Sequence, residues 1–383
     1  MKLLLAAFLM FQFGPRAPLT PAETLLAPEI LRSLRDQTVS SDGGITEIAG
    51  SNVDAGDILL TCQLSCGAAN QAMRKIEALV AAKAMPRPSR TIVLTSGFGP
   101  SRAQRTKAVV HVGQANWPGL QVARGLWSTA GVGDEVAEIF SRSTGPLETR
   151  EFVDVAQMPF DPFGVSTTTI ISDAANVPRA AFAAAATAYF LATLPNAGSE
   201  ALLSHLIVGA HERLAEDGRR AVAQMGSQQR ASADVLIMFG HAIEREQRRM
   251  RSFESFMPAP VDPMLHSRIL DMEKGITSVW TSMGITSSPF VPAAERIRGR
   301  GGEDRRIVSR TNPGRLPTPE PPTAMLKFPN VDVVIYELGN FIDGKRSISD
   351  IRDAVSAEFG TIALPVVADY FERLAKAGAV SIK

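Results

Sequence analysis

The chain has 383 residues, 45% of them hydrophobic, which is enough to bury the cores of two domains and too apolar for a disordered polypeptide. Forty Lys plus Arg stand against 39 Asp plus Glu, a formal net charge of +1. That balance excludes a global field drawing the protein to nucleic acid or to an acidic membrane surface.

The first element in chain order is a charged residue followed by a short apolar run, Lys2 and then Leu3 to Phe11. The run is too brief to cross a bilayer and has the form of a secretory signal peptide, with Thr20-Pro21-Ala22 as the cleavage site and residues 1–22 as the leader. The expected location is therefore secreted or periplasmic; a buried N-terminal helix is the structural alternative. No other segment approaches transmembrane length.

Asp57 to Ser65 opens with an apolar run of strand length and breaks at Cys66-Gly67-Ala68-Ala69-Asn70. From Gln71 to Ala84 the apolar positions Met73, Ile76, Leu79 and Val80 recur at three and four residues, which predicts a helix with one buried face, stopped by Pro86 and Pro88. Arg90 to Thr95 is a second, β-branched strand ending at Gly97-Phe98-Gly99-Pro100, and Lys107 to Val112 a third ending at Gly113. Strand, helix, strand and strand predict an α/β layer. Cys62 and Cys66 are two sulfurs that do not by themselves complete a tetrahedral metal site, so buried thiols or a local disulfide compete with a metal-binding role.

Three helices are predicted next. The first is an Ala-rich helix from Pro178 to Leu194, the second starts after Ser199 and runs toward Gly226, and the third spans residues 228–256 with Val235, Met238 and Ile243 beside Arg248, Arg249 and Arg251. On the third, His241 and Glu244 lie one turn apart and form either a shared metal pair or a solvated or core-edge pair. Residues 258–325 read as an irregular linker. Its arginines Arg296, Arg298, Arg300, Arg305, Arg306 and Arg310 lack interleaved aromatics, so nucleic-acid binding is not expected, and Pro317 to Pro322 is a stiff spacer. At the C-terminus, Val334, Leu338 and Phe341 form one helical stripe. Ser347 and Asp350 cap a second helix through Ile351 and Val355, and a third runs from Pro365 through Phe371 and Leu374 before the strand Ala379 to Ile382.

The order of these parts resembles the secreted dizinc aminopeptidases of peptidase family M twenty-eight. There a strand bearing Ala-His-Leu-Asp leads into a Gly-Ala-Asn-Asp-Asn turn and a helix, followed by a Pro-Arg-Pro-x-Arg-Thr-Ile strand like Pro86 to Ile92 and another like Arg105 to Val110. Asn340 to Ile351 is similar to the tail of the same group, and the last unit resembles a small winged helix. The resemblance implies a reduced, aminopeptidase-like three-layer α/β sandwich over 23–195, a helical extension over 196–257, the linker 258–325 and a winged-helix-like domain over 326–383. It also implies which chemistry is gone. The family's ligand His falls on Gln63, a nearby Asp on Ser65, the metal-bridging Asp on Asn70 (or Ala69 with another gap), and the Glu pair near Gly99. The ligand Asp expected after Val110 is deleted, leaving His111 beside the gap. Phe152 to Phe163 runs straight into Gly164 where the family has Ser-Asp-His, and Ser172-Asp173 stand where it carries its last histidine.

A zinc pair needs imidazoles, carboxylates and a base for the metal-bound water, and neutral Gln or Asn side chains do not replace them. The resemblance therefore leads to the expectation of a pseudo-peptidase that binds peptide or protein, with no catalytic residue, no cofactor and no nucleic acid. The alternative is an active zinc aminopeptidase with a non-standard ligand set, for which His111, Cys62 and Cys66 are the candidates. No Gly-x-Ser-x-Gly elbow supports a serine hydrolase.

Overall fold

The computed structural model describes residues 19–36, 47–62, 66–95, 105–123, 130–148, 166–195, 198–226, 232–257, 304–311, 319–328 and 330–383, with positions 128, 267, 271, 274 and 316. The chain is a mixed α/β protein built on a six-stranded sheet. Its strands are β1 (Glu47–Ile48), β2 (Asp57–Cys62), β3 (Thr91–Thr95), β4 (Thr106–Gln114), β5 (Leu120–Val122) and β6 (Ser166–Ser172), in the spatial order β1-β3-β2-β4-β6-β5. The four central strands are parallel, and β1 and β5 are antiparallel at the edges. Every residue of β2 is buried, which explains why it reads as an unbroken apolar run: a parallel strand is covered on both faces.

Register fixes what each face carries. Leu59 pairs with both Val93 and Val109, and these three form a small apolar cluster of their own. One residue along, Ile58, Leu60 and Cys62 point the other way into the main core with Val110, Val112 and Ile170. That face is covered by three helices, α3 (Cys66–Ala81), α4 (Val132–Arg142) and α5 (Val177–Thr193). Helix α5 crosses β2, β3, β4 and β6, and its alanines 180, 181, 183, 184, 185, 186, 188 and 192 let it approach closely. At the entry to α4, a Cβ on Gly131 would overlap Ser166 Oγ, so only glycine lets that helix start so near β6.

Helix α3 begins at Cys66, five residues before the position predicted from Gln71. Its first turn is Cys66-Gly67-Ala68-Ala69-Asn70, which reads as a break because of Gly67. In place, the two alanines carry the helix and the Gly67 Cβ position faces open space. Helix α4 had no counterpart among the predicted elements.

The N-terminal helices α1 (Pro21–Leu25) and α2 (Pro28–Asp36) bury Ala22, Leu25, Leu26, Leu31 and Leu34 in the main core. Thr20 caps α1 through a capping box with Glu23. The expected leader boundary at Ala22 thus falls inside a capped, buried helix, while residues 1–18 lie outside the described residues. Helices α6 (Ser199–Gly226) and α7 (Ser232–Glu254) form an adjacent pair that packs on α4.

The C-terminal helices α8 (Val331–Asn340), α9 (Ile348–Phe359) and α10 (Leu364–Lys376) join a two-stranded antiparallel ribbon, β7 (Val308–Arg310) and β8 (Val380–Ile382). Ser347 and Asp350 form the predicted capping box at α9. Strand β7 corrects the reading of 258–325 as uniformly irregular: Ile307 exchanges two backbone hydrogen bonds with Lys383, so this part of the linker belongs to the C-terminal unit. Among the described residues no single helix is long and apolar enough to cross a membrane.

Candidate functional site

The two ends of the parallel strands differ in what closes them. At the N-terminal end, Arg90 is buried and donates to three carbonyls, Ala55 (3.2 Å), Leu194 (2.5 Å) and Phe256 (2.9 Å), with its guanidinium 4.8 Å from the centre of the Phe256 ring. Burial lowers its pKa, and the three carbonyls and the aromatic face replace the lost water. This end is a structural knot. The C-terminal end is the position at which open α/β sheets place ligands. Here β2 ends at Cys62, β3 at Thr95, β4 at Gln114 and β6 at Ser172.

Cys62 and Cys66 are joined as a disulfide from the end of β2 to the first residue of α3. Their sulfurs carry no thiolate to offer a metal. One turn into α3, the Asn70 side-chain carbonyl accepts from Arg74 Nε at 3.1 Å. His111 is buried on β4 and its Nδ1 lies 2.8 Å from Thr61 Oγ1. Thr61 and His111 are register partners on one sheet face, whereas Cys62, the next residue on β2, faces the opposite core. The sheet therefore keeps His111 apart from the sulfur pair, and the three do not form one ligand set. Gln63, Ser65 and Gly99 lie outside the described residues.

The donors at this edge do not fit a zinc pair: a disulfide, a neutral amide held by an arginine, and an imidazole bonded to a threonine on the far face. Among the described residues no three His, Cys, Asp or Glu side chains gather at one point as a metal site requires. On α7, His241 Nδ1 lies 3.2 Å from Glu244 Oε2, with the imidazole buried and the carboxylate half-exposed, a core-edge pair. Glu244 is half-desolvated, which would raise its pKa, but the His241 contact and the Arg346 and Arg248 charges hold it below the usual range. A hollow of about 110 Å³ between α2, α3 and α5, lined by Leu34, Gln71, Lys75 and Phe182, admits a few waters and falls below the ~300 Å³ of an ordinary ligand pocket.

The largest polar assembly among the described residues was not predicted. It lies between α4, α6 and α7. Arg213 donates to Glu246 (2.7 Å) and Glu135 (3.0 Å), and Arg245 donates to Glu246 (2.6 Å) and Asp217 (2.9 Å). Fully buried Arg249 sits 3.5 Å from Asp134, which also accepts from Thr168 on β6 at 3.0 Å. Burial raises the Glu246 pKa, and the charges of Arg245, Arg249 and Arg213 more than reverse this and hold it at about 2. Its role is to fasten the helical pair to the sheet layer. The sequence signal was the close spacing of Arg245, Glu246 and Arg249 with apolar Ala242, Ile243 and Met250, which marks a helix buried on more than one side.

A second polar contact joins the C-terminal unit to the α/β layer. Fully buried Glu337 on α8 accepts from the Ser128 backbone N–H at 3.1 Å and from its hydroxyl. Burial pushes the Glu337 carboxyl above its usual range, against the Ser128 hydrogen bonds. Nearby, Val333 and Tyr336 on α8 pack against Ala123 at the end of β5. No protein-family model and no curated protein matches the chain.

Proposed function

We propose that the chain is a degenerate member of the dizinc aminopeptidase group, an aminopeptidase-like sandwich with a winged-helix-like C-terminal unit, that binds peptide or protein without hydrolysing it. The observation that carries this reading is the use made of the strand-to-helix turn after β2. Where the resemblance puts the ligand turn, Cys62 and Cys66 are bridged and Asn70 is held by Arg74. Neither arrangement supplies the anionic donors that lower the pKa of a metal-bound water toward about 7. The order of parts along the chain supports the scaffold assignment, and the three helices with a two-stranded ribbon support the winged-helix comparison.

A protein or peptide partner is favoured over nucleic acid. Of the two cations on the third C-terminal helix, Arg373 is already paired with Asp369 at 2.9 Å. The N-terminal pattern supports export, with the leader ending before Thr20 so that capped α1 stays whole. The test is elemental analysis of the full-length protein equilibrated with excess zinc, together with turnover of an aminoacyl chromogenic substrate. Less than one zinc per chain and no chelator-sensitive turnover is the expected result. Stoichiometric binding of two zinc ions with chelator-sensitive hydrolysis would overturn the proposal in favour of an active aminopeptidase.

A further inference from the structure

We propose that the Cys62–Cys66 bridge is a thiol-exchange site that a small-molecule thiol opens and closes without unfolding the protein, an activity independent of the peptide-binding reading. The two sulfurs are built unequally. Cys62 ends a fully buried strand and is 5% exposed, whereas Cys66 is half-buried at the first position of the 16-residue helix α3. An incoming thiolate therefore reaches Cys66 first. Cys66 is also the first residue of the helix, whose positive N-terminal end favours a thiolate once the bridge opens, against the Cys62 carbonyl oxygen 3.4 Å from its sulfur. The first turn of α3 holds no acidic residue to oppose that charge.

The bridge is also poorly suited to a purely structural role. It spans a sequence separation of 4, so it closes a very short loop and removes little chain entropy from the unfolded state. Both ends are held in place without it, since Cys62 pairs with Val112 in the sheet and α3 buries Ala69, Met73, Ile76 and Leu79. Opening the bridge leaves the strand and the helix where they are.

The chemistry is ordinary dithiol–disulfide exchange. A thiolate attacks Cys66 Sγ, the sulfur–sulfur bond breaks, and its electron pair leaves with Cys62 Sγ. A second thiolate then attacks the sulfur of the first in the mixed disulfide, and Cys66 leaves as a thiolate. The two electrons and two protons given up by the small thiols end on Cys62 and Cys66, and the small thiols become one disulfide.

The experiment equilibrates the full-length protein in buffers of graded reduced-to-oxidised glutathione ratio, quenches with acid, alkylates, and weighs the intact chain. The expected result is a doubly alkylated fraction that rises smoothly with the ratio while the circular dichroism stays constant. In parallel, Cys62→Ser should trap glutathione on Cys66 on the order of tenfold faster than Cys66→Ser traps it on Cys62. Should either variant fail to fold, substoichiometric alkylation of the reduced wild-type chain followed by peptide mapping reads the same preference. A bridge that stays closed until the protein is denatured, a reduced form that loses its fold, or equal reactivity of the two cysteines would overturn the proposal.

Discussion

Replacing Glu246 with glutamine tests whether the charge assembly between α4, α6 and α7 is a structural fastening. The Glu246 carboxylate is 1% exposed and receives Arg213 at 2.7 Å and Arg245 at 2.6 Å, with Arg249 at 3.9 Å. Glutamine keeps the shape and removes the charge, leaving buried Arg245 and Arg249 and half-buried Arg213 short of a counter-ion. A fall in pKa from 4.5 to about 2 corresponds to roughly 3 kcal/mol at about 1.4 kcal/mol for each pKa unit. Breaking a buried ion pair from one side costs ~3–5 kcal/mol by an independent route, so the two agree on roughly 3 kcal/mol. Because the folded pKa is depressed, this stability is present above the unfolded value near 4.5 and is lost as pH falls toward 2. Equilibrium urea unfolding of wild type and Glu246→Gln should differ by about 3 kcal/mol at pH 7, with the gap narrowing steadily below pH ~4.5. A difference under about 1 kcal/mol at pH 7, or one that does not change with pH, would refute the argument.

Three further outcomes follow from other contacts. Burial raises the Glu337 pKa, so its contribution is fully present below the unfolded value of 4.5 and is lost as pH rises through the folded pKa. Glu337→Gln, which mimics the protonated acid, should melt at least about 2 °C above wild type at pH 8 and level with it at pH 4, as read by calorimetry. Because β7 pairs with β8 and Asp304 and Arg306 bond to Ser349 and Ile348, a fragment of residues 304–383 should melt cooperatively by circular dichroism where 331–383 does not; equal melts would remove β7 from the unit. If the chain is exported as proposed, intact-mass analysis should place its N-terminus at or before Thr20, and a mature chain beginning at Pro21 or later would contradict the place of capped α1 in the core.

Much of the scaffold was legible because local rules and burial agree there. The run from Ile58 to Leu60 is apolar because β2 is covered on both faces, and Met73, Ile76 and Leu79 recur at helical spacing because α3 buries one side. The Ser347–Asp350 box at α9 needs only two residues three apart. Elements fixed by distant partners were not legible. Strand β7 has three residues and exists because strand β8 lies beside it, 70 residues on by the pairing of Arg310 with Val380 at its nearest.

The candidate site shows the same limit in its chemistry. Arg248, Arg249 and Arg251 read only as basic residues on the third helix, because the counter-charge for Arg249 comes from Asp134, on another element far back in the chain. The resemblance likewise grouped His111 with Cys62 and Cys66 as candidates for an alternative ligand set. Strand alternation separates them: Thr61 and His111 share a face by register, and Cys62, one residue on, must take the other. A ligand set spread over several strands is thus decided by parity as much as by residue type. The same parity puts the sulfur of Cys62 on the face against which α3 packs, within reach of Cys66, while His111 turns to Thr61 on the other face, so among the described residues the sulfur pair and the imidazole do not share a site.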